Sequence, residues 1–492
     1  MKSIFKIFLI SLITLFLIVI TKTISFSETI VPIPKKVDIK FEKEGVVERL
    51  SQLIKFKTIS YQDPVQSSAQ QFNEMQNYLR QSFPQVYAQL QFERINQHSL
   101  LFKWQGSNPS LMPMLLMAHQ DVVPAPEDTL KMWNHPPFSG FVDDKFIWGR
   151  GTLDDKSSLL SIFESVNQLI KNDFHPKRTL YLAFGHDEEI GGEQGAKKIA
   201  QTLAARGVEL SYVLDEGGVI SNGLLSGIDK KVAFIGNVEK GFVSLKLKIA
   251  ATGGHSSMPP KHTAIGILSK AIVDLEQHPL KPHSKITTKF IKHLTHHMSY
   301  FKKMIFANIW FFRPMIEYFL SQKADTNALI RTTTAATMIK GGIKDNVLPT
   351  SAEAIVNFRI IPGDSVDSVI KNVKAIINNP NIEVSEERPG LNPSRMSSQD
   401  GSTFDMIRKT ILEVNGSKDD MLVSPYLVVG GTDSRHYHQI SKNTYRFLYL
   451  EFTKEDLHRF HGINERISIE NYYQQIAFYM QLIKNSQQSN LN

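Results

Sequence analysis

The stretch Leu115-Leu116-Met117-Ala118-His119-Gln120-Asp121 places a short apolar run directly before a histidine and an aspartate. An apolar run of this length is typical of a buried β-strand. Farther along, Leu159 to Ile170 has the apolar spacing of a helix, and Thr179 to Phe184 has the composition of another strand. The alternation of strand, loop and helix predicts an α/β fold in which helices cover a sheet.

Side chains of the types that bind metal ions follow three of the predicted strands. They are His119 and Asp121, then Glu188 and Glu189, then Asp215 at the end of Tyr212-Val213-Leu214. In α/β sheets, ligands bind beyond the carboxyl ends of the strands. These clusters therefore lie where a ligand site is expected.

Two further clusters carry candidate ligands. Asp154 lies in Gly149-Arg150-Gly151-Thr152-Leu153-Asp154-Asp155-Lys156, and His461 lies in His458-Arg459-Phe460-His461-Gly462. Taken alone, each of the five clusters has an ordinary explanation, such as a helix cap for an aspartate or a surface position for a histidine. Together they supply the nitrogen and oxygen ligands of a two-metal hydrolytic site.

The composition limits the chemistry. The chain has 492 residues, of which 42% are hydrophobic and 21% are charged, so we expect a globular protein of two domains. An excess of 56 basic over 48 acidic residues gives a formal charge of +8, which does not indicate a nucleic acid partner. The chain has no cysteine, which excludes disulfides, thiolate metal ligands and a cysteine nucleophile.

The N-terminus indicates a segment directed to a membrane. Lys2 and Lys6 precede an almost wholly aliphatic run from Ile7 to Ile20. We expect residues 1–27 to form either a cleaved signal peptide or a retained single anchor, because the run is slightly short for a bilayer span. The protein is accordingly expected to be exported, periplasmic or secreted, or else membrane-anchored, with a linker at residues 28–44.

The five clusters, in this order, resemble the dinuclear-zinc exopeptidase family that contains aminoacylase, bacterial glutamate carboxypeptidase and yeast carboxypeptidase S. The resemblance runs from about residue 45 to the C-terminus. Trp133 and Pro136-Pro137-Phe138 lie between the first two clusters. They make the chain most similar to the branch of carboxypeptidase S and the secreted N-acyl-amino-acid hydrolases.

This resemblance implies a catalytic domain with a mixed sheet between helices, interrupted by an α+β lid that forms dimers in the family. The implied catalytic parts are residues 45–235 and 363–492, and the implied lid is residues 236–362, with a long insertion at about 277–325. The insertion mixes basic and aromatic residues. That composition is typical either of a contact with a membrane or a partner subunit, or of a helical pair packed on the lid.

The resemblance also implies two zinc ions per chain. Asp154 would bridge both ions, and the remaining implied ligands are His119, Glu189, Asp215 and His461. Carboxylates and imidazoles are common zinc ligands. At Asp215 an alternative stays open, because Glu216 is the adjacent carboxylate and the family varies between aspartate and glutamate here.

Further residues resemble catalytic and substrate-binding positions of the family. Glu188 would be the general base, Asp121 would orient the imidazole of His119, and His255 in the lid would stabilise the oxyanion. A guanidinium suits capture of a carboxylate. The implied residues for holding the substrate are Asn346, Arg359 and Arg435.

The implied function is metal-dependent hydrolysis of an amide or peptide bond next to a free C-terminal amino acid, as in carboxypeptidase S. Hydrolysis of N-acyl amino acids is the alternative, since it uses the same bond type and the same carboxylate. The expected partners are a small peptide or N-acyl amino acid, a membrane at the N-terminus and a second copy in a homodimer. A catalytically silent binding protein is the alternative of another class, although Glu188 and Asp154 are both present.

Overall fold

Two compact units make up the chain in the computed structural model, which describes residues 2–26, 34–63, 66–225, 227–415 and 421–488. The larger unit comprises Thr29–Asn237, Met396–Tyr426 and Thr432–Asn492. The smaller unit comprises Met1–Glu28, Val238–Arg395 and Leu427–Gly431.

Helices and strands alternate along much of the chain. In the described residues the helices are α1 (Lys2–Ser25), α2 (Val46–Ile54), α3 (Ala69–Ser82), α4 (Pro84–Gln89), α5 (Lys156–Lys171), α6 (Ala196–Ala205), α7 (Ala264–Gln277), α8 (Ser284–Thr295), α9 (Tyr300–Ala307), α10 (Ile309–Leu320), α11 (Ala324–Ala328), α12 (Val366–Ile377), α13 (Ser402–Asn415) and α14 (Ile469–Asn485). The strands are β1 (Gln91–Ile95), β2 (Ser99–Trp104), β3 (Met114–His119), β4 (Phe146–Trp148), β5 (Leu180–Gly185), β6 (Tyr212–Asp215), β7 (Ile220–Ser221), β8 (Lys231–Glu239), β9 (Gly241–Ala250), β10 (Gly254–His255), β11 (Thr333–Gly341), β12 (Val347–Leu348), β13 (Ser351–Ile360), β14 (Ile382–Leu391), β15 (Met421–Val428), β16 (Thr444–Arg446), β17 (Glu451–Phe452) and β18 (Arg466–Ser468).

A mixed sheet of ten strands forms the centre of the larger unit. The strand order is β1-β2-β5-β3-β6-β16-β8-β7-β17, and β15 also pairs with β8. Strand β3 is parallel to both β5 and β6, whereas β2 is antiparallel to β1 and β5. Because β3, β5 and β6 are parallel neighbours, their carboxyl ends lie at the same edge of the sheet.

Strand β3 is buried on both faces, which explains its uninterrupted apolar sequence. Leu116 lies in the core on one face together with Phe163 of α5. Leu115 lies in the core on the other face together with Ile199 of α6. Helix α5 is buried along nearly all of its length and packs against α14. The sheet therefore lies between helices, as the sequence predicts.

A second, antiparallel sheet forms the centre of the smaller unit, with the strand order β11-β13-β9-β14. Buried and less buried side chains alternate along β9, and Val243, Leu245 and Leu247 face the core. Residues of α7 and α12 complete this core. The unit continues past the predicted lid limit at residue 362, because α12 packs on the same core and β14 pairs with β9.

The predicted insertion at about 277–325 contains three consecutive helices, α8 to α10, in the smaller unit. Helix α1 belongs to the same unit. Among the described residues, Ser3–Ser25 is the one helical segment long and apolar enough to cross a membrane, a test that signal sequences also pass. The last residue of the predicted signal peptide or anchor and the start of the predicted linker, residues 27–33, lie outside the described residues.

Candidate metal centre

The carboxyl ends of β3, β5 and β6 bring candidate ligands together. His119 is the last residue of β3 and lies beside Gly185, the last residue of β5. Glu188 and Glu189 follow in the loop after β5, and Asp215 ends β6. These residues therefore share one edge of the sheet.

Two groups of side chains have the spacing needed to hold metal ions. One is His119, Asp154 and Glu216, and the other is Asp154, Glu189 and His461, with the ligand atoms of each group within 4.8 Å of one another. Oδ1 of Asp154 lies 2.8 Å from Nε2 of His119, and Oδ2 lies 2.6 Å from Nε2 of His461. Each oxygen of Asp154 therefore faces a different group, as a bridging ligand requires.

The donor set suits divalent ions that bind nitrogen and oxygen. Oε1 of Glu189 is buried and has no hydrogen-bond partner among the described residues. Burial, together with the charge of Asp154, raises the pKa of both Glu189 and Glu216. Crowded, buried carboxylates are unfavourable without nearby positive charge, which bound cations would supply. The residues present therefore fit a metal centre.

The pKa of His461 reflects the negative charge of the surrounding carboxylates. Burial opposes its protonation, but hydrogen bonds with Asp154 and Glu189 raise its pKa to about 10. Imidazole binds a metal ion only when it is neutral, so a cation at this position would replace the proton. The carboxylates that attract the proton are the same groups that would attract the cation.

The structure places Glu216, and not Asp215, in the first group. Oε1 of Glu216 lies 3.7 Å from Nε2 of His119. Asp215 instead accepts a hydrogen bond from the backbone N–H of Ser434 at 2.8 Å. Successive side chains along a strand point to opposite faces, so only one of two adjacent carboxylates is directed at His119. The geometry therefore favours Glu216, the alternative that the sequence leaves open, over Asp215 as the candidate ligand.

Asp121 connects His119 to the loop that carries Glu188. Its backbone oxygen lies 3.0 Å from Nδ1 of His119, the ring nitrogen opposite Nε2. Its carboxylate accepts hydrogen bonds from the backbone N–H groups of Glu188 and Glu189, each at 3.1 Å, and from the hydroxyl of Ser60 at 2.6 Å. Burial opposes the ionisation of Asp121, but the contact of its Oδ1 with Nδ1 of His119 at 3.3 Å, together with the hydrogen bonds from Ser60 and Glu189, keeps its pKa below the usual range.

Glu188 belongs to neither ligand group, although its sequence neighbour Glu189 belongs to one. Burial raises the pKa of Glu188 well above its usual range, and the carboxylates of Asp433, Glu189 and Asp154 raise it further. A carboxylate beside a metal centre, but not needed as a ligand, is suited to accept and release a proton.

A buried ion pair that the sequence does not reveal joins the segments that carry Asp154 and His461. Nη1 of Arg150 donates to Oε2 of Glu465 at 2.5 Å, and both side chains are almost fully buried. Oε1 of Glu465 accepts two backbone N–H groups from the loop before Asp154. Nη2 of Arg150 donates to the backbone oxygen of His461 at 3.1 Å. The pair thus holds two ligand-bearing segments together.

We expect Glu465→Ala to lower the free energy of unfolding by about 3–5 kcal/mol, because it leaves the charge of Arg150 buried without its partner. Chemical denaturation measures this loss. The matched control is Glu93→Ala, which removes the partner of Arg206 in an exposed ion pair and should cost no more than about 1 kcal/mol. Equal losses in the two variants would contradict a structural role for the buried pair.

Gly462 fixes the backbone next to His461. His461 has a φ of 56°, in the left-handed region. A Cβ atom on Gly462 would lie 1.9 Å from the backbone oxygen of His458. Only glycine therefore fits after this histidine.

Arg435 lies beside the loop that contains Glu189. Its Nη2 donates to the backbone oxygen of Gly191 at 2.9 Å. Of the three residues predicted to bind substrate, Arg435 is the one that the structure places in the larger unit with the two ligand groups.

His255, Asn346 and Arg359 belong to the smaller unit. Strand β10 pairs with β12, so that His255 lies opposite Val347, the residue after Asn346. Arg359 lies on β13 and is exposed, with its guanidinium 6.0 Å from the ring centroid of Phe242. The structure therefore brings His255 and Asn346 close together and places Arg359 on another element.

Comparison with known proteins decides the family. The model of peptidase family M20/M25/M40 matches residues 115–485, most of the chain. The chain belongs to this family. Within M20/M25/M40, Probable carboxypeptidase S-like 2 of Dictyostelium discoideum is 39% identical over 90% of this chain and 85% of that protein. N-fatty-acyl-amino acid synthase/hydrolase PM20D1 of Xenopus tropicalis is 40% identical over 92% of this chain and 87% of that protein.

A solved structure of an M20 protein shares the fold. The M20 family metallo-carboxypeptidase Sso-CP2 of Sulfolobus solfataricus aligns with a TM-score of 0.64 at 18% identity, covering 91% of this chain and 100% of that chain. The predicted family, its carboxypeptidase S and N-acyl-amino-acid hydrolase branch, and the α/β fold are confirmed. The chain is a metal-dependent hydrolase of amide or peptide bonds, as predicted.

Proposed function

We propose that the metal centre holds two zinc ions, with Asp154 between them. His119 and Glu216 complete one site, and Glu189 and His461 complete the other. The observation that carries this proposal is the position of Asp154, whose two oxygens lie 2.8 Å and 2.6 Å from two different histidines. The chemistry of the donors, imidazole and carboxylate without thiolate, supports zinc.

A pair of such ions supplies activation of a water molecule and polarisation of the substrate carbonyl. Glu188 takes a proton from the attacking water and passes it to the leaving nitrogen as the amide bond breaks. Its position outside both ligand groups supports this role, because its change of protonation leaves the ligand set intact.

Asp121 determines which ring nitrogen of His119 carries the proton. Its oxygens lie next to Nδ1, at 3.0 Å for the backbone oxygen and 3.3 Å for Oδ1, so the ring proton stays on Nδ1. Nε2 of His119 then keeps its lone pair for a metal ion. Asp121 also fixes the backbone of Glu188, so that ligand and base are held by one carboxylate.

The substrate that we propose is a short peptide with a free C-terminal carboxylate, cleaved in the manner of a carboxypeptidase. N-acyl amino acids are the second candidate, favoured by the 40% identity to a protein named N-fatty-acyl-amino acid synthase/hydrolase. Arg435 is proposed to hold the substrate carboxylate, since a guanidinium binds a carboxylate through two parallel hydrogen bonds. Arg359 and Asn346 stay proposed substrate-binding residues of the smaller unit. His255 is proposed to donate to the oxyanion.

One purified preparation assayed against dipeptides and N-acyl amino acids side by side tests the substrate class. We expect conversion of the C-terminal carboxylate to a primary amide to lower kcat/KM by about 10²-fold or more, because the groups that bind the carboxylate lose their charged partner. In the matched control, the N-terminal amine of the dipeptide is blocked instead, and this change should lower kcat/KM less. Equal hydrolysis of free and amidated substrates would contradict carboxypeptidase action.

Helix α1 supports export or membrane attachment of the protein. Its apolar segment of 23 residues meets the requirement for a signal peptide and for a single anchor alike. We propose that the hydrolase acts outside the cytoplasm, either after release or while attached to the membrane.

We also propose that the smaller unit forms a homodimer through β11. This strand lies at the edge of its sheet, and no strand in the described part of the chain pairs with its outer side. Met338 and Ile339 on β11 are 56% and 59% exposed, and exposed apolar edge strands readily pair with another chain. Light scattering should give two chains per particle, and Met338→Lys with Ile339→Lys should give one. A wild-type monomer would contradict this interface.

A further inference from the structure

Helix α1 is covered by the rest of the smaller unit at one end only. Side chains from Ile4 to Ile18 are mostly exposed, whereas Val19 and Thr23 are buried. The exposed part is aliphatic and aromatic, which is unfavourable in water. About 20 apolar helical residues span the hydrocarbon core of a bilayer, and the apolar segment of α1, from Ser3 to Ser25 with its covered end included, has 23. Helix α1 therefore has the length and composition of a membrane span, and most of its length is uncovered.

The covered end of α1 docks on the insertion helices through directed polar contacts. Asn308, between α9 and α10, is fully buried. Its Nδ2 donates to the backbone oxygen of Val19 at 3.1 Å and to Oγ1 of Thr23 at 3.0 Å. Nζ of Lys22 lies 4.9 Å from the ring centroid of Trp310. Hydrogen bonds at a defined turn fix how α1 sits on the unit, which a segment destined for removal does not require.

Helices α9 and α10, which flank Asn308, also expose aromatic side chains. Six rings, which we call the aromatic face, are between 44% and 64% exposed: Tyr300, Phe301, Trp310, Phe311, Tyr318 and Phe319. Residues 284–320 also contain five lysines and one arginine against one glutamate. Aromatic rings with basic side chains are typical of protein surfaces in the interfacial layer of a bilayer, and the basic groups favour anionic headgroups.

We propose that α1 is retained as a membrane anchor and that the aromatic face rests in the interfacial layer of the same bilayer. The contacts of α1 with α9 and α10 involve its C-terminal end, from Val19 onward, where the apolar span gives way to Lys22. The aromatic face therefore lies at the level where an interfacial belt is expected. The bilayer that receives α1 covers this face without a further partner. This membrane contact is independent of the proposed hydrolysis.

Trp310 reports directly on the aromatic face. The other tryptophans, Trp104, Trp133 and Trp148, are at most 8% exposed, whereas Trp310 is 50% exposed. The full chain is reconstituted in vesicles of phosphatidylcholine and phosphatidylglycerol. Brominated phospholipids should quench most of the fluorescence of Trp310, while iodide in the aqueous phase should quench little of it. The variant Trp310→Phe should lose the lipid-dependent quenching.

Quenching of Trp310 by iodide and not by brominated lipid would overturn the proposal. Protection from both quenchers would indicate a protein on the aromatic face and would overturn it as well. Mass spectrometry of the chain extracted from membranes should find α1 intact, and a chain that begins beyond Phe26 would refute a retained anchor.

A second variant separates insertion of α1 from contact of the aromatic face. Asn308→Ala removes the hydrogen bonds to Val19 and Thr23. The variant should still float with vesicles through α1 but should lose most of the lipid quenching of Trp310. The control Val273→Ser alters an exposed apolar residue of α7, 45% exposed, and should change neither readout. Undiminished lipid quenching in Asn308→Ala would refute docking through this residue.

Discussion

The variant Glu188→Gln should keep its metal ions and lose kcat by about 10²-fold or more, because an amide cannot accept the proton of the attacking water. Glutamine has nearly the same shape as glutamate. Glu188 belongs to neither ligand group, so metal affinity should hardly change. The backbone N–H of residue 188 still donates to Oδ1 of Asp121, which keeps the loop in place. Metal content and turnover are measured on the same preparation.

The matched control for this variant is Glu193→Gln. Glu193 is five residues away and pairs with Lys197 at the surface, with 54% of its side chain exposed. It should retain full turnover. Full activity in Glu188→Gln would remove Glu188 from the mechanism, and loss of metal from that variant would make it a ligand instead of a base.

The second large effect is expected in a graded series of ligand variants. Asp154→Asn should lose both metal ions and all turnover above background, because each oxygen of Asp154 serves a different ligand group. Glu216→Gln should lose one ion, because Glu216 belongs to only one group. The number of metal ions per chain, measured by mass spectrometry, should therefore fall from two in the wild type to one in Glu216→Gln and to none in Asp154→Asn.

Asp215→Asn is the matched control in this series. The amide oxygen of the substituted side chain would still accept the hydrogen bond that the backbone N–H of Ser434 donates to Asp215. This variant should therefore keep both ions. If Asp215→Asn lost as much metal as Glu216→Gln, the placement of Glu216 as the ligand would be incorrect. If Asp154→Asn kept two ions, Asp154 would not bridge them.

The location of the candidate site could be predicted from local sequence patterns. The apolar run from Leu115 to Ala118 predicts a strand directly before His119, and β3 (Met114–His119) ends at that histidine. Parallel strands place their carboxyl ends together, so ligands distant in sequence meet. The apolar spacing from Leu159 to Ile170 predicts a helix there, and α5 (Lys156–Lys171) contains this range. The first turn of α5 is polar yet buried, and apolar spacing alone does not detect such a turn.

The choice between Asp215 and Glu216 could not be made from sequence. Both are carboxylates, and they are adjacent at the end of β6. Which of them faces His119 depends on how the chain turns after the strand, because a shift of one residue reverses the direction of the side chain. The structure favours Glu216, because Asp215 accepts a hydrogen bond from the backbone N–H of Ser434, which is 219 residues away.

Sequence patterns also do not predict contacts between segments that are distant along the chain. Arg150 and Glu465 are 315 residues apart. An arginine between two glycines gives no indication of its partner. The docking of α1 on Asn308 is similar, since a single asparagine in an aromatic segment does not identify a helix 285 residues away. Such contacts depend on the packing of the folded chain rather than on periodicity.

Counting the metal ions in the folded, active protein tests the central claim most directly. Native mass spectrometry of the full chain should find two zinc ions per chain, and chelation should remove both ions together with all turnover. A folded and fully active chain without metal would contradict the two-metal centre built around Asp154.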